Sequence, residues 1–218
     1  MHIIHFSDVH IGVENYSKPD PQTGLSTRLK DFLDTFDELV DFSIGNNVDL
    51  VVFSGDAYKS RDPNQTQQRE FAKRIMRLSQ AKIPVFLLTG NHDVPNVFER
   101  ANSLEIYKTL EIENVYTADT LAIHNIDTKN GPIQILALPW IRKSNLLAQG
   151  VNLEGKSHEE LVELARNLLP KHLESSIGKL NVLFHALTRC SAPALLAEYG
   201  ELGEKNEFSV NDPLLILP

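Results

Sequence analysis

Two short runs of the sequence, residues 50–53 and 85–88, consist of apolar residues only. Runs of this length without alternating polar residues are typical of strands buried on both faces, as in a parallel sheet. The stretch between them, residues 65–80, has apolar residues at helical spacing. This strand–helix–strand order predicts an α/β fold in which sheets and helices form layers.

The pattern on either side extends this layered fold. Apolar residues at three- and four-residue spacing between Leu29 and Val40 predict a helix that Gly45 ends. Asn130 and Gly131 lie between two apolar segments and predict an antiparallel hairpin with a longer loop. The predicted strands cover residues 2–7, 49–54, 84–89, 121–126, 133–138 and 180–184, and further helices cover residues 65–80, residues 101–110 and a segment that begins at Ser157.

Composition narrows the function classes that this fold can carry. The 218 residues are 42% apolar with a formal net charge of −8, which argues against a domain that coats nucleic acid through bulk positive charge. An acidic enzyme can still meet phosphate groups through bound cations. The single cysteine, Cys190, excludes a disulfide-stapled scaffold. Because we see neither a secretory signal nor an apolar run of about 20 residues, we expect a cytoplasmic protein without a membrane partner.

Unusual polar residues follow four of the predicted strands. In a layered α/β fold, ligands bind in the crevice outside the carboxyl ends of the strands. We therefore expect these side chains to lie close together. They are Asp8 and His10 after the first strand, Asp56 after the next, Asn91, His92 and Asp93 after the third, and His185 after the last.

The residue types at the first two strand ends suit divalent cations. If the chain stays extended, Asp8 and His10 point the same way, and a carboxylate with an imidazole can hold manganese, iron or zinc. The alternative is a turn aspartate beside a surface histidine. Asp56 follows Gly55, which permits a tight turn, and its two oxygens can bridge two cations. The alternative there is an aspartate that caps the next turn.

The string Gly90-Asn91-His92-Asp93 is the most informative of these motifs, since a given four-residue string has on the order of one chance in a thousand of occurring in such a chain. Asn91 offers an amide oxygen to a metal, His92 can donate a proton, and Asp93 can orient the imidazole of His92. The alternatives are a polar turn and, for His185, a histidine at the rim of the core. Two cations about 3.5–4 Å apart are typical of displacement at phosphorus. The sequence therefore predicts metal-assisted phosphoester hydrolysis.

These motifs, in this order, resemble those of the calcineurin-like metallophosphoesterases. They are Asp8-x-His10, Gly55-Asp56, Gly90-Asn91-His92-Asp93 and His185. Segments around them, residues 5–12, 55–63 and 100–102, resemble more narrowly the SbcD-type nuclease subunits of DNA-repair complexes. The resemblance implies a layered αββα sandwich with mixed sheets flanked by helices.

The resemblance also implies a set of metal ligands. Asp8 and His10 would bind one ion, Asp56 would bridge the two ions, and Asn91 and His185 would bind the second. The implied cofactor is a pair of divalent ions, usually Mn2+.

The catalytic roles and partners come from the same resemblance. His92 would act on the scissile phosphate or on the leaving group, oriented by Asp93. The implied activity is metal-dependent exonuclease and endonuclease cleavage of DNA. The implied partners are an SbcC-type ATPase subunit and a second copy of the chain in a homodimer.

One motif of the family, Gly-His-x-His, does not occur in the sequence. Its two imidazoles complete the two metal shells in the family. We therefore expect residues 1–218 to be one metallophosphoesterase domain, truncated before this motif and before an accessory domain, that binds metal poorly by itself. Two alternatives stay open: a small-molecule or protein phosphoesterase of the same superfamily, and a non-catalytic scaffold with this fold.

Overall fold

The computed structural model describes residues 1–12, 17–95, 100–120, 122–140 and 182–185. Its first sheet has four parallel strands whose spatial order follows the chain. The strands are β1 (Ile3–Phe6), β2 (Leu50–Phe53), β3 (Val85–Leu88) and β4 (Val115–Ala118), and the connecting helices are α1 (Thr27–Gly45), α2 (Gln65–Gln80) and α3 (Glu105–Thr109). Because the strands are parallel, their carboxyl ends share one edge of the sheet.

The second sheet is mixed and contains the three remaining strands. These are β5 (Ala122–Thr128), β6 (Gly131–Leu138) and β7 (Val182–His185). The first two form an antiparallel hairpin, and β7 pairs with β6 in parallel. The longer hairpin loop that we predicted is wrong, because Thr128 pairs with Gly131 and leaves only two residues in the turn.

The first sheet is buried between the helices and the second sheet. Successive residues of a strand point to opposite faces, so Val51 and Phe53 pack among the helices while Leu50 and Val52 pack against the second sheet. This alternation explains why β2 shows no polar residue. The layered α/β prediction is therefore confirmed. The helix predicted from Ser157 lies outside the described residues.

Local capping explains where the two long helices begin. Ser26 precedes α1, and its hydroxyl accepts a hydrogen bond from the Leu29 amide. Asn64 and Gln67 form a reciprocal capping box at the start of α2. These bonds satisfy amide groups that have no partner within a helix.

A buried carboxylate joins the two sheets at the end opposite to the predicted site. Asp49, 2% exposed, accepts a 2.5 Å bond from the His2 amide and a 2.7 Å bond from Asn130 Nδ2 in the hairpin turn. The Lys129 ammonium lies 3.8 Å away. Burial alone raises the pKa of Asp49, but the bonds from His2 and Asn130 outweigh it and leave the pKa below its ordinary value.

The predicted elements and the observed ones agree in most places. The strands at 2–7, 49–54, 84–89 and 180–184, the hairpin and the helix at 65–80 are confirmed, with small changes at the ends. The helix predicted for residues 101–110 is shorter in the structure, where it is α3 (Glu105–Thr109). Strand β4 was not predicted. Among the helices that the structure describes, none has the length and apolar composition that crossing a bilayer requires.

Candidate metal centre

The loops that follow β1 and β2 run side by side. The amides of Asp8 and His10 donate 3.0 Å bonds to the carbonyl oxygens of Gly55 and Asp56, and Ile11 continues the pairing with Ala57. The parallel pairing of the sheet therefore continues past the strand ends. It holds His10 beside Asp56 through backbone bonds alone.

Three of the predicted ligand residues have left-handed backbone conformations. The φ angles are 58° at Asp8, 48° at His10 and 65° at Asp56. Such angles are uncommon for residues other than glycine and cost about 1–3 kcal/mol each. The condition that we attached to Asp8 and His10, an extended chain, is wrong, because β1 ends at Phe6 and the chain turns at both residues.

His10, Asp56 and His92 form a cluster in which one ligand atom of each side chain lies within 4.8 Å of the others. His10 Nε2 is 3.5 Å from Asp56 Oδ2, and the rings of His10 and His92 are 5.1 Å apart at a T-shaped angle. Asp8 is not a member of this cluster. Its exposed carboxylate accepts a hydrogen bond from the Ser7 hydroxyl.

The imidazole of His92 has a defined protonation at one nitrogen. Its Nδ1 is 2.8 Å from the carbonyl oxygen of Lys59. A carbonyl oxygen can only accept, so Nδ1 carries the proton, and Nε2 holds the lone pair of the neutral ring. The backbone amide of His92 donates a 2.9 Å bond to Asp56 Oδ1. These two bonds tie His92 to the loop that follows β2.

Asp93 does not contact the imidazole that we predicted it to orient. Its carboxylate is fully buried and accepts hydrogen bonds from the amides of Gly90, Asp56 and Ala57 and from the Ser103 hydroxyl. Burial raises the pKa of Asp93 to about 6, with a further contribution from the Asp56 carboxylate, although the bonds from the amides oppose this. The predicted Asp93–His92 contact is therefore corrected: the imidazole Nδ1–H donates its hydrogen bond to the Lys59 carbonyl oxygen.

Two glycines allow the loops after β2 and β3 to touch. A Cβ added at Gly55, where φ is +101°, would lie 2.5 Å from the backbone of Gly90. A Cβ added at Gly90 would lie 2.3 Å from Asp56 Oδ1. Real Cβ atoms do not approach other atoms this closely, so glycine is required at both positions for Asp56 to reach its observed place.

Orphaned polar atoms show that the site fits a metal ion. His10 Nε2 and Asn91 Oδ1 are both buried and have no hydrogen-bond partner in the described part of the chain. Leaving a buried polar atom unpaired costs about 1–3 kcal/mol. Divalent cations beside the Asp56 carboxylate would give each of these atoms a partner, and this nitrogen and oxygen set suits manganese, iron or zinc.

The backbone places His185 near the same edge of the molecule. It is the last residue of β7 and pairs with Leu138 at the end of β6. Two residues further along the chain, the Trp140 amide donates a 2.9 Å bond to the Thr89 carbonyl, directly before Gly90. The carboxyl ends of β3, β6 and β7 therefore meet, as the predicted convergence requires.

Two contributors to the site were missed by sequence reasoning. The Lys59 carbonyl oxygen is a backbone group that any residue supplies, so no residue type marks it. Ser103 lies before α3, and only its 3.3 Å contact with Asp93 reveals its part. The motifs themselves, by contrast, predicted Asp56 and His92, which the structure brings together.

The profile of the family described as "Calcineurin-like phosphoesterase" matches residues 1–189 of the chain. The chain is also similar to several curated proteins named "DNA double-strand break repair protein Mre11". That of Thermoplasma acidophilum is 37% identical over 92 residues, which are 42% of this chain and 23% of the relative. That of Sulfolobus acidocaldarius is 29% identical over 166 residues, 69% of this chain and 42% of the relative. That of Archaeoglobus fulgidus is 31% identical over 187 residues, 86% of this chain and 39% of the relative.

The matched part is a fraction of each relative. In these three pairs the chain spans between 23% and 42% of the relative's length.

Proposed function

The chain belongs to the calcineurin-like phosphoesterase family, and on that premise we propose that it is the phosphodiesterase domain of a DNA-repair nuclease. The family resemblance predicted from the motifs is confirmed, and the Mre11 relatives are of the same family as SbcD. The observation that carries the proposal is the arrangement at the strand ends. His10 Nε2 lies 3.5 Å from Asp56 Oδ2, and both His10 Nε2 and Asn91 Oδ1 are buried without a hydrogen-bond partner in the described part of the chain.

We assign the ligands as the family resemblance implies. Asp8 and His10 would hold one divalent ion, Asp56 would hold both, and Asn91 and His185 would hold the second. When bound, such ions neutralise phosphate oxygens and lower the pKa of a coordinated water. The left-handed turns at His10 and Asp56 serve this arrangement, because they aim both side chains at one point before any ion binds.

His92 acts as the residue that meets the substrate. The Lys59 carbonyl fixes its Nδ1 proton, so Nε2 is the ring atom that acts on the scissile phosphate or the leaving oxygen: it accepts a proton in the neutral ring and donates one from the protonated ring. The bond from the His92 amide to Asp56 Oδ1 keeps the imidazole in register with the bridging carboxylate. Geometry of this kind lowers the cost of orientation in the transition state.

DNA is the proposed substrate because the relatives are DNA double-strand break repair proteins. The proposed partners are a second copy of the chain and an ATPase subunit of the SbcC type, and the proposed location is the cytoplasm. The preferred ion is proposed to be Mn2+. The acidic net charge of −8 is compatible with DNA binding because the bound ions offset it at the site.

The test compares two substrates and two aspartates. The full-length protein is assayed with Mn2+ on linear duplex DNA and on para-nitrophenyl phosphate. We expect cleavage of DNA, loss of at least 100-fold in Asp56→Asn, and unchanged activity in Asp127→Asn, an exposed aspartate on β5. Activity on para-nitrophenyl phosphate alone would favour a small-molecule phosphatase, and activity on neither substrate would favour the scaffold.

A further inference from the structure

The carboxylate of Asp93 accepts four hydrogen bonds within the site. Oδ2 accepts from the amides of Asp56 at 2.7 Å and Gly90 at 2.9 Å. Oδ1 accepts from the amide of Ala57 at 3.0 Å and from the Ser103 hydroxyl at 3.3 Å. The side chain is completely buried, so water does not compete for these bonds.

Four donors saturate this carboxylate. An ionised carboxylate has about four lone-pair sites, two on each oxygen. All four are taken by the groups just named, and none remains for an imidazole N–H. The Nδ1 proton of His92 already has its acceptor in the Lys59 carbonyl oxygen. Asp93 and His92 are therefore neighbours in sequence whose side chains bond to different groups.

The bonds of Asp93 join three segments of the chain. Asp56 and Ala57 belong to the loop after β2, Gly90 belongs to the loop after β3, and Ser103 precedes α3. The β3 loop returns a bond, from the His92 amide to Asp56 Oδ1. The two loops are thus held by bonds in both directions, at the point where Gly90 permits their contact.

We propose that Asp93 is a positioning residue that sets the distance between the Asp56 carboxylate and the Asn91 amide, and that the Lys59 carbonyl, not Asp93, orients His92. The proposal deepens the proposed function and rests on it, since the ions are what the positioned groups would hold. Asp93→Asn has nearly the same shape but places an amide N–H2 against groups that donate. It cannot accept all four bonds, so the two loops separate.

The test measures Mn2+ affinity and the tautomer of His92 on the same samples. Mn2+ alone is titrated into wild type, Asp93→Asn and the control Asp127→Asn by calorimetry. Long-range nitrogen–proton NMR on the metal-free proteins reads which ring nitrogen of His92 is protonated. We expect Asp93→Asn to bind Mn2+ about 10- to 100-fold more weakly, with Nδ1 of His92 still protonated. Asp127→Asn should match the wild type in both.

An unchanged Mn2+ affinity with an altered His92 tautomer in Asp93→Asn would overturn the proposal, because it would show that Asp93 orients the imidazole. If Asp93→Asn does not fold, Ser103→Ala is used to test the proposal. This variant removes one hydrogen-bond donor to Asp93 and keeps the carboxylate. Loss of one hydrogen bond predicts about two- to tenfold weaker binding, and unchanged affinity overturns the proposal. A wild type that does not bind Mn2+ contradicts the proposed function instead, and the tautomer still shows what orients His92.

Discussion

The imidazole of His10 and the carboxylate of Asp56 face each other with Nε2 and Oδ2 3.5 Å apart. His10 Nε2 is buried and has no hydrogen bond in the described part of the chain. Each atom is an electron-pair donor when the neutral imidazole is protonated at Nδ1, and both are held in place by left-handed turns. Electron-pair donors brought together at this cost are what a cation site requires.

Gly90 should tolerate no side chain. Its added Cβ would lie 2.3 Å from Asp56 Oδ1 and 2.5 Å from the Asp56 amide nitrogen. We expect Gly90→Ala to lower the free energy of unfolding by about 1–3 kcal/mol and to weaken Mn2+ binding, because the bridging carboxylate must move.

The matched control for this change is Gly45→Ala at the end of α1, where an added Cβ meets nothing within 4 Å. Alanine there should be neutral or stabilise the protein by up to about 1 kcal/mol. Urea denaturation and Mn2+ titration measure both effects. Equal behaviour of the two variants would show that the loops are not in contact.

Asp49 should matter for stability and not for chemistry. Removing its carboxylate in Asp49→Ala leaves the His2 amide and the Asn130 amide group without an acceptor. We expect a loss of about 1–3 kcal/mol in the free energy of unfolding, with Mn2+ affinity unchanged. Asp127→Ala, at an exposed position on the neighbouring hairpin strand, should stay within about 0.5 kcal/mol of wild type. A loss of equal size in both variants would show that the Asp49 carboxylate does not join the two sheets.

His5 should make stability depend on pH. Its Nε2 is 2.6 Å from the Ser54 hydroxyl, and burial lowers the pKa of the imidazole from 6.5 to about 4. The folded protein keeps His5 neutral, whereas the unfolded chain takes up a proton below about pH 6.5. The contribution of the neutral His5 to the free energy of unfolding is therefore complete above pH 6.5. It is lost as the pH falls toward 4, by up to about 1.4 kcal/mol per pH unit.

The variant His5→Gln keeps a polar group and does not titrate. The difference between its free energy of unfolding and that of wild type should be constant above pH 7 and should shift in favour of the variant between pH 6.5 and 4. A difference that stays constant over the whole range would contradict the burial of His5.

More of the fold than of the site could be predicted from the sequence. β2 and β3 are buried on both faces, and their uninterrupted apolar runs show it. β4 was missed because only Ala118 of its four residues is fully buried, so its pattern is weak. The helix predicted from residue 101 begins at Glu105. Before it, the Leu104 amide donates to the Asn102 side-chain oxygen, and the Ser103 amide donates to the backbone carbonyl oxygen of Asp93.

Within the site, we expected polar residues at the carboxyl ends of the strands to lie close together, and Asp56 does lie beside His10 and His92. The part of Asp93 was not predictable, because its partners Asp56 and Ala57 lie 37 and 36 residues away and offer only backbone amides. The acceptor for His92 is likewise a backbone oxygen, at Lys59. Residue types indicate which side chains can bind a metal, but they do not indicate which backbone groups hold those side chains in place.

The central claim is that four strand ends deliver ligands to a pair of divalent ions. Anomalous diffraction from crystals of the full-length protein grown with Mn2+ tests it most directly. We predict two peaks about 3.5–4 Å apart, with Asp56 in contact with both and with His10 and Asn91 each in contact with one. Crystals in saturating Mn2+ that show no peak within bonding distance of Asp56 would contradict the claim.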